Sequence, residues 1–267
     1  MFLLPSLCRS LGTKKARELT HTELDVPYGA GGGEKVDYYM PTSYSMDVSL
    51  VMYIHGGYWQ CLSKEESGFM AITMMHKEVV VAAVDYDIAP KGNMDWIVSQ
   101  IRRAVVAAME FTCFRVPLYL CGHSAGAHLA AMVLSTDWSQ YSITPKINGA
   151  LLVSGIYDLL PILSTDVNEL VKMTEEVALR NSPMKLLPEL KQSSPNCNIV
   201  VAVAEHDSPE FRKQSEEYYR DLKELGLNVL LEDVPNTDHF NIIEQLTDGE
   251  FHLTQVEHQH HHCHSAK

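Results

Sequence analysis

Seven short apolar runs, rich in Val, Ile, Leu and Ala, recur along this chain at strand length. Segments with helical periodicity separate them. In residues 94–108 the apolar side chains share one face, and residues 209–225 lie between a capping Ser208 and a terminating Gly226. Strands that are apolar on both faces and alternate with helices predict an α/β fold, with a mostly parallel central sheet and helices on both faces. The runs span residues 35–40, 50–55, 79–85, 118–121, 149–153, 199–204 and 229–231.

The length and charge of the chain limit its organisation and its partners. For 267 residues we predict one domain at 23–255, preceded by an N-terminal segment at 1–22 and followed by a histidine-rich tail at 256–267. With 21 Lys and Arg against 34 Asp and Glu, the formal charge of −13 argues against nucleic acid and anionic membrane surfaces as partners. No apolar run reaches the ~18 residues of a membrane span. A small-molecule substrate fits this composition best.

A G-H-S-A-G motif at 122–126 directly follows the run 118–121 and precedes a segment of small residues at 125–134. In so sharp a strand-turn-helix junction, a side chain at either glycine would collide with neighbouring backbone. The helix N-terminus favours the negative charge that develops when a serine hydroxyl there attacks a carbonyl. The motif resembles the nucleophile elbow of α/β-hydrolases, which predicts Ser124 as the nucleophile.

A second glycine motif, His55-Gly56-Gly57, closes the second apolar run. It is similar to the HGGG loop of lipases and esterases, with Tyr58 in place of the third glycine. Consecutive glycines let backbone N–H groups turn toward a substrate oxygen, so we predict an oxyanion hole formed by Gly56, Gly57 and Ala125. We expect His55 to brace this loop rather than act as a base.

The acid of a catalytic triad is expected downstream of the serine and before the histidine. Asp207 follows the run 199–204 and precedes a capped helix, so it lies at the carboxyl end of a strand, where active sites of such sheets gather. Glu205 and Asp158 are the alternatives. The order along the chain favours Asp207.

The base is expected after the last strand, where His239 stands. His206 is adjacent to the predicted acid and is poorly placed to accept its hydrogen bond, while His123 and His128 belong to the elbow and its helix. We therefore predict that His239 accepts the proton of Ser124 and that Asp207 orients the imidazole.

Several stretches of the chain, taken together, resemble animal kynurenine formamidases, also called arylformamidases. The resemblance covers about residues 24–255. Its implied nucleophile, acid and base match Ser124, Asp207 and His239. The stretches are HGGYW at 55–59, DYDIAPKG at 85–92, GHSAGAHLAAM at 122–132, VSGIYDL at 153–159, RNSP at 180–183, DSPEF at 207–211 and DHF at 238–240.

The resemblance implies hydrolysis of N-formyl-L-kynurenine to L-kynurenine and formate in tryptophan catabolism, without a cofactor. It implies a cytosolic protein, and a nuclear location and a homodimer are expectations of the same kind. Six cysteines without paired spacing fit a reducing compartment. A formyl group needs almost no acyl pocket, whereas an arylamine needs an aromatic wall. Tyr58 and Trp59 are candidates for that wall, with core packing as the alternative for Trp59.

Two alternatives to this function stay open at the level of sequence. A broad-specificity carboxylesterase shares every step except protonation of the leaving group. A catalytically silent isoform is the other, because the family usually has a longer helical N-terminal segment and an apolar helix where this sequence has its tail. We expect the tail to be disordered and to form no physiological metal site.

Overall fold

The computed structural model describes residues 3–41, 48–113 and 116–255. Eight strands within these residues form one sheet. Across the sheet the strand order is β1-β2-β4-β3-β5-β6-β7-β8. The β1–β2 and β2–β4 pairs are antiparallel, and every other neighbouring pair is parallel. The predicted mostly parallel sheet is confirmed. In chain order the strands are β1 (His21–Pro27), β2 (Lys35–Met40), β3 (Ser49–Ile54), β4 (Val79–Val84), β5 (Leu118–His123), β6 (Ile147–Val153), β7 (Asn198–Ala204) and β8 (Val229–Val234).

Strands β2 to β8 correspond to the seven apolar runs of the sequence. β4, β5 and β6 are buried along their whole length, as expected for central strands that are covered on both faces. β1 was not predicted. Most of its side chains are exposed at the antiparallel edge of the sheet, and a register shift near Asp25 interrupts its pairing with β2.

Helices lie in the connections between strands, and their ends follow from local sequence. Asn93 caps one long helix by accepting a hydrogen bond from the Trp96 amide, and Ser208 caps another. Gly226, with φ of 74°, follows the second of these helices. The helices are α1 (Leu3–Leu19), α2 (Ala71–Met75), α3 (Met94–Phe111), α4 (Ala125–Leu134), α5 (Asn168–Val171), α6 (Glu175–Arg180), α7 (Leu187–Ser193), α8 (Pro209–Glu224) and α9 (Asn241–Glu244).

Two hydrophobic cores, one on each face of the sheet, hold these elements together. The larger core packs α3, α4 and α8 against one face, and the smaller core packs α1, α2 and α9 against the other. Alternate residues of each strand enter the two cores: in β3, Leu50, Met52 and Ile54 enter the larger, while Val51 and Tyr53 enter the smaller. Helices therefore cover both faces, as predicted.

Helix α1 is attached to the sheet by a cluster of charges. Arg17 donates to the fully buried carboxylate of Asp37 at 2.7 Å and to Glu65 at 2.8 Å, and the Lys64 ammonium also contacts Asp37. Thr13 accepts a hydrogen bond from the Gly68 amide. Residues 3–19 therefore pack on the same domain as the sheet.

The described part of the chain has features that bear on membrane insertion, disulfide formation and metal binding. None of its helices combines the length and the apolar character needed to cross a bilayer. Cys8, Cys61, Cys113, Cys121 and Cys197 are free thiols. No group of three or more His, Cys, Asp or Glu side chains among these residues is placed to hold a metal ion. The histidine-rich tail at 256–267 lies outside the described residues.

Candidate active site

Ser124 lies on a sharp turn between β5 and α4, with φ of 57° and ψ of −118°. This is a strained conformation for a residue with a side chain. The surrounding backbone leaves no space for a Cβ at either flanking glycine: at Gly122 it would overlap the carbonyl oxygen of Gly126, and at Gly126 that of Ile54. The amide of Ser124 donates to Val153 on β6 at 2.8 Å, which fixes the turn to the sheet.

The loop after β3 approaches this turn closely enough to require glycine. A Cβ at Gly56 would lie 3.1 Å from Cβ of Ser124 and 2.6 Å from the carbonyl oxygen of His123, and Gly57 has a φ of 97°. Within the described residues, no acceptor is seen for the backbone amides of Gly57 and Ala125. The amide of Ala125 belongs to the first turn of α4, where N–H groups have no partner within the helix. Both amides are therefore free to donate to a bound oxyanion.

Asp207 is held in the site by three hydrogen bonds. Its Oδ1 accepts from Nδ1 of His239 at 2.7 Å, while its Oδ2 accepts from the hydroxyl of Ser154 at 2.5 Å and from the amide of Ala204 at 3.1 Å. The carboxylate is completely buried, whereas the side chain of His239 is 20% exposed. With a carboxylate accepting at Nδ1, the Nε2 atom of His239 is left to exchange protons with a nucleophile.

No hydrogen bond between the side chains of Ser124 and His239 is present among the described contacts. The link runs through the neighbouring residue His123. Its ring centroid lies 4.8 Å from that of His239, and its Nε2 donates to the main-chain oxygen of His239 at 2.7 Å. Catalytic hydrogen bonds are often long without substrate and shorten when it binds.

His123 is a buried, neutral histidine. Burial is the main cause that lowers its pKa well below the ordinary value, and the adjacent His239 acts in the same direction. Because Nε2 donates to a carbonyl, Nδ1 carries no proton, and it has no hydrogen-bond partner within the described part of the chain. This contact could not be predicted from local sequence, since its two partners are 116 residues apart.

His55 contacts its own loop and the strand beside it. Its ring stacks on Tyr86 with centroids 4.2 Å apart, Nδ1 lies 2.9 Å from the carbonyl oxygen of Gly56, and Nε2 lies 3.4 Å from Asp85. These contacts brace the loop that carries Gly56 and Gly57, the glycines of the predicted oxyanion hole.

Trp59 is a core residue, and the prediction that it forms part of the entrance wall is wrong. The side chain is fully buried. Its Nε1 donates to Nδ1 of His128 at 3.2 Å, and Nε2 of His128 donates to the carbonyl of Asn181 at 2.7 Å. The loop needs this anchor because Gly57, Tyr58 and Trp59 all have positive φ. Core packing was the alternative that the sequence left open.

The alternative acids and bases have other contacts. Glu205 is exposed and accepts from the amide of Asn236 at 2.7 Å, and Asp158 accepts from the amide of Leu160 at 3.0 Å. His206 is exposed beside Asp207. None of these three has a described hydrogen bond to His239.

A cavity of about 190 Å³ reaches Phe211, the neighbour of His239, although neither His239 nor Ser124 is among the residues that line it. Tyr58 and Phe211 line it, with ring centroids 6.4 Å apart, and the Phe211 ring is 4.4 Å from the His239 ring. Partial burial, followed by the nearby Asp207 carboxylate, raises the pKa of Tyr58, so its phenol is neutral. Further apolar lining comes from Ile156, Pro161 and Ile162.

Known proteins share the fold of this chain. A family model described as BD-FAE matches residues 36–211. Esterase B from Lactobacillus rhamnosis has a TM-score of 0.74 at 15% identity, over 94% of this chain and 89% of the esterase. Carboxyl esterase 2 from the fungus Tuber melanosporum has a TM-score of 0.67 at 23% identity, over 90% of this chain and 82% of the esterase. The class is therefore that of the α/β-hydrolases.

Relatives in sequence define the particular family. Kynurenine formamidase from Salmo salar is 71% identical over 246 residues, which are 92% of this chain and 84% of that protein. Kynurenine formamidase from Danio rerio is 64% identical over 245 residues, with the same coverage of both chains. This chain belongs to the kynurenine formamidase family, a family of hydrolases.

Proposed function

We propose that this chain hydrolyses the aryl formamide bond of N-formyl-L-kynurenine, releasing L-kynurenine and formate in the kynurenine pathway of tryptophan catabolism. Ser124 is the nucleophile, His239 the general base and then the general acid, and Asp207 the residue that orients His239. The backbone amides of Gly56, Gly57 and Ala125 form the oxyanion hole. The chemistry uses no cofactor.

The observation that carries the mechanism is the 2.7 Å hydrogen bond between His239 Nδ1 and the buried Asp207 carboxylate, next to the elbow that bears Ser124. A carboxylate in that position holds the tautomer in which Nε2 can accept a proton, and it stabilises the imidazolium that follows. The choice of substrate is supported by the name and the 71% identity of the salmon relative.

The first half of the reaction forms a formyl-enzyme. His239 takes the proton of the Ser124 hydroxyl as its oxygen attacks the formyl carbon. The negative charge that develops on the carbonyl oxygen is stabilised by the N–H groups of Gly56, Gly57 and Ala125. The tetrahedral intermediate collapses when the C–N bond breaks, and His239 returns the proton to the departing arylamine. In the second half, His239 activates a water molecule that releases formate.

The shape of the site favours a formyl group and an aromatic leaving group. Gly56 brings the loop backbone close to Ser124, so the acyl side offers little space. A formyl carbon carries only hydrogen besides its nitrogen and oxygen, and it fits there. The cavity between Tyr58 and Phe211 lies on the side of His239, where the arylamine must be protonated as it leaves.

Turnover of matched substrates tests this function. The purified chain is incubated with N-formyl-L-kynurenine and, separately, with phenyl acetate, and kcat/KM is measured by absorbance for each. We expect the formamide to be hydrolysed with the higher kcat/KM, although its bond is less reactive, because the acyl side is small. Hydrolysis of the ester without hydrolysis of the formamide would make the chain an esterase. The cytosolic and nuclear locations and the homodimer stay predictions.

A further inference from the structure

The cavity lined by Tyr58 and Phe211 has an acidic side chain, Glu210, to which the proposed mechanism gives no role. Its lining is apolar or neutral except for Glu210, the one charged side chain among the described residues that line it. Glu210 directly precedes Phe211, which contacts His239. An acidic group therefore stands on the wall of the cavity, close to the ring that contacts the predicted base.

Glu210 is fixed in place by a buried amide. Nε2 of Gln214 donates to Oε1 of Glu210 at 3.0 Å, and Gln214 is itself buried. The other end of that amide accepts from the backbone amides of Tyr157 and Asp158 at 2.8 and 2.9 Å, which fixes its orientation. These contacts reduce the freedom of the carboxylate before any ligand arrives.

The second oxygen of Glu210 remains available to a ligand. Its nearest cation is the ammonium of Lys213, 3.7 Å from Oε2, on a side chain that is 59% exposed. An exposed pair at that distance holds its partners weakly. The Glu210 side chain is itself 48% exposed, so a ligand cation in the cavity competes with Lys213 for a partly solvated carboxylate.

We propose that Glu210 forms a subsite for the α-ammonium group of the substrate's amino-acid moiety. This inference rests on the proposed function, because N-formyl-L-kynurenine carries that ammonium on the chain ortho to its formamide. The aryl ring packs against Tyr58 and Phe211, which line the cavity, and the amino-acid chain extends toward Glu210. No lysine or arginine lines the described cavity, so the substrate's carboxylate is directed toward solvent. Glu210 thereby selects an amino-acid aryl formamide over a neutral one.

The test measures binding, which does not depend on turnover. Dissociation constants are obtained by calorimetry for L-kynurenine and for its analogue with hydrogen in place of the α-ammonium. The proteins are the wild-type chain, Glu210→Gln and Glu216→Gln. Glutamine at 210 still accepts from Gln214, so this contact within α8 is kept. Glu216 lies on the same helix, is 57% exposed and does not line the cavity, which makes it a matched control.

We expect Glu210→Gln to weaken binding of L-kynurenine about tenfold and to leave binding of the analogue within about twofold, while Glu216→Gln changes neither. Equal weakening of both ligands, or no weakening of L-kynurenine, would overturn the subsite. The proposed function fails by a different result, namely a wild-type chain that binds L-kynurenine but does not hydrolyse N-formyl-L-kynurenine.

Discussion

Ser154 is the residue whose contact adds most to the predicted triad. It directly follows β6, and its hydroxyl and the Asp207 carboxylate are both buried. A hydroxyl that donates to a buried carboxylate stabilises the charged form and limits its rotation. Ser154 has a φ of 48°, and its amide donates to Ala202 at 2.7 Å, so its backbone is firmly placed. We interpret it as a positioning residue for Asp207.

Removing that hydroxyl should slow the reaction. In Ser154→Ala the Asp207 carboxylate loses one of its three donors, so its orientation toward His239 is held less firmly. We expect kcat for N-formyl-L-kynurenine to fall about tenfold, by loss of a charge-assisted hydrogen bond, and KM to stay within about twofold. The measurement is kcat and KM by absorbance at neutral pH.

Ser135→Ala is the matched control for this variant. Ser135 is also buried, at the end of α4, but its hydroxyl donates to the Ala131 carbonyl rather than to a triad residue. Its loss should lower stability and leave kcat unchanged. An unchanged kcat in Ser154→Ala would mean that Ser154 has only a structural role.

At the scale of residues, sequence order indicated Ser124, Asp207 and His239 because each follows a strand in the expected order. It did not indicate Ser154 or the donor role of His123. Each contact joins two residues that are more than 50 positions apart in the chain. No local sequence pattern around Ser154 or His123 indicates which distant residue it contacts. Ser154 does follow a strand, and the same rule about strand ends could have included it.

Among the helices, α1 is the one that the sequence pattern indicates least clearly. Leu7, Leu11 and Leu19 on this helix are each at least half exposed, so the helix depends on its other contacts with the domain for stability. Arg17 is its main polar attachment, through the buried Asp37. β1 is similar: its charged, mostly exposed sequence has no alternating apolar pattern, and only its pairing with β2 makes it a strand.

Loss of Arg17 should therefore destabilise the domain. In Arg17→Ala the fully buried Asp37 keeps only the Lys64 ammonium as a cationic partner among the described contacts. We therefore expect the free energy of unfolding to fall by about 2 kcal/mol. Urea denaturation at pH 7 gives this difference. Arg220→Ala is the control, since Arg220 is 61% exposed and 3.7 Å from Asp221, and its effect should stay within about 0.5 kcal/mol. Equal effects of the two substitutions would show that Asp37 does not anchor α1.

At the scale of the whole molecule, alternating apolar runs and helices were sufficient to predict the sheet and its two covered faces. The order of the strands was not predicted, because it depends on which long-range pairs bury most surface rather than on any local pattern. Burial of histidine side chains in the core also determines how the free energy of unfolding changes with pH. His123 and His128 are both enclosed in the core as neutral rings.

His128 predicts a loss of stability at mildly acidic pH. Burial lowers its pKa to about 4 in the folded chain, compared with an ordinary value of 6.5. Between these values the unfolded chain binds the proton and the folded chain does not, so the free energy of unfolding falls as the pH falls from about 6.5 to about 4. The contribution is at most about 3 kcal/mol. Urea denaturation at pH 7 and pH 5 measures it.

His128→Gln tests the origin of this pH dependence. Glutamine does not titrate, so the variant should be less stable than wild type at pH 7, and the difference between them should shrink at pH 5. His76→Gln is the control, because His76 is exposed. If His128→Gln keeps the full wild-type loss of stability between pH 7 and pH 5, His128 is not its source.

In the proposed mechanism Ser124 attacks the formyl carbon of an aryl formamide. This step is tested by following the appearance of L-kynurenine from N-formyl-L-kynurenine by absorbance, for the wild-type chain and for Ser124→Ala at equal concentration, with folding checked by circular dichroism. We expect rapid turnover by the wild type and a loss of at least about a thousandfold in kcat for the folded variant. Turnover by Ser124→Ala at the wild-type rate would contradict the mechanism.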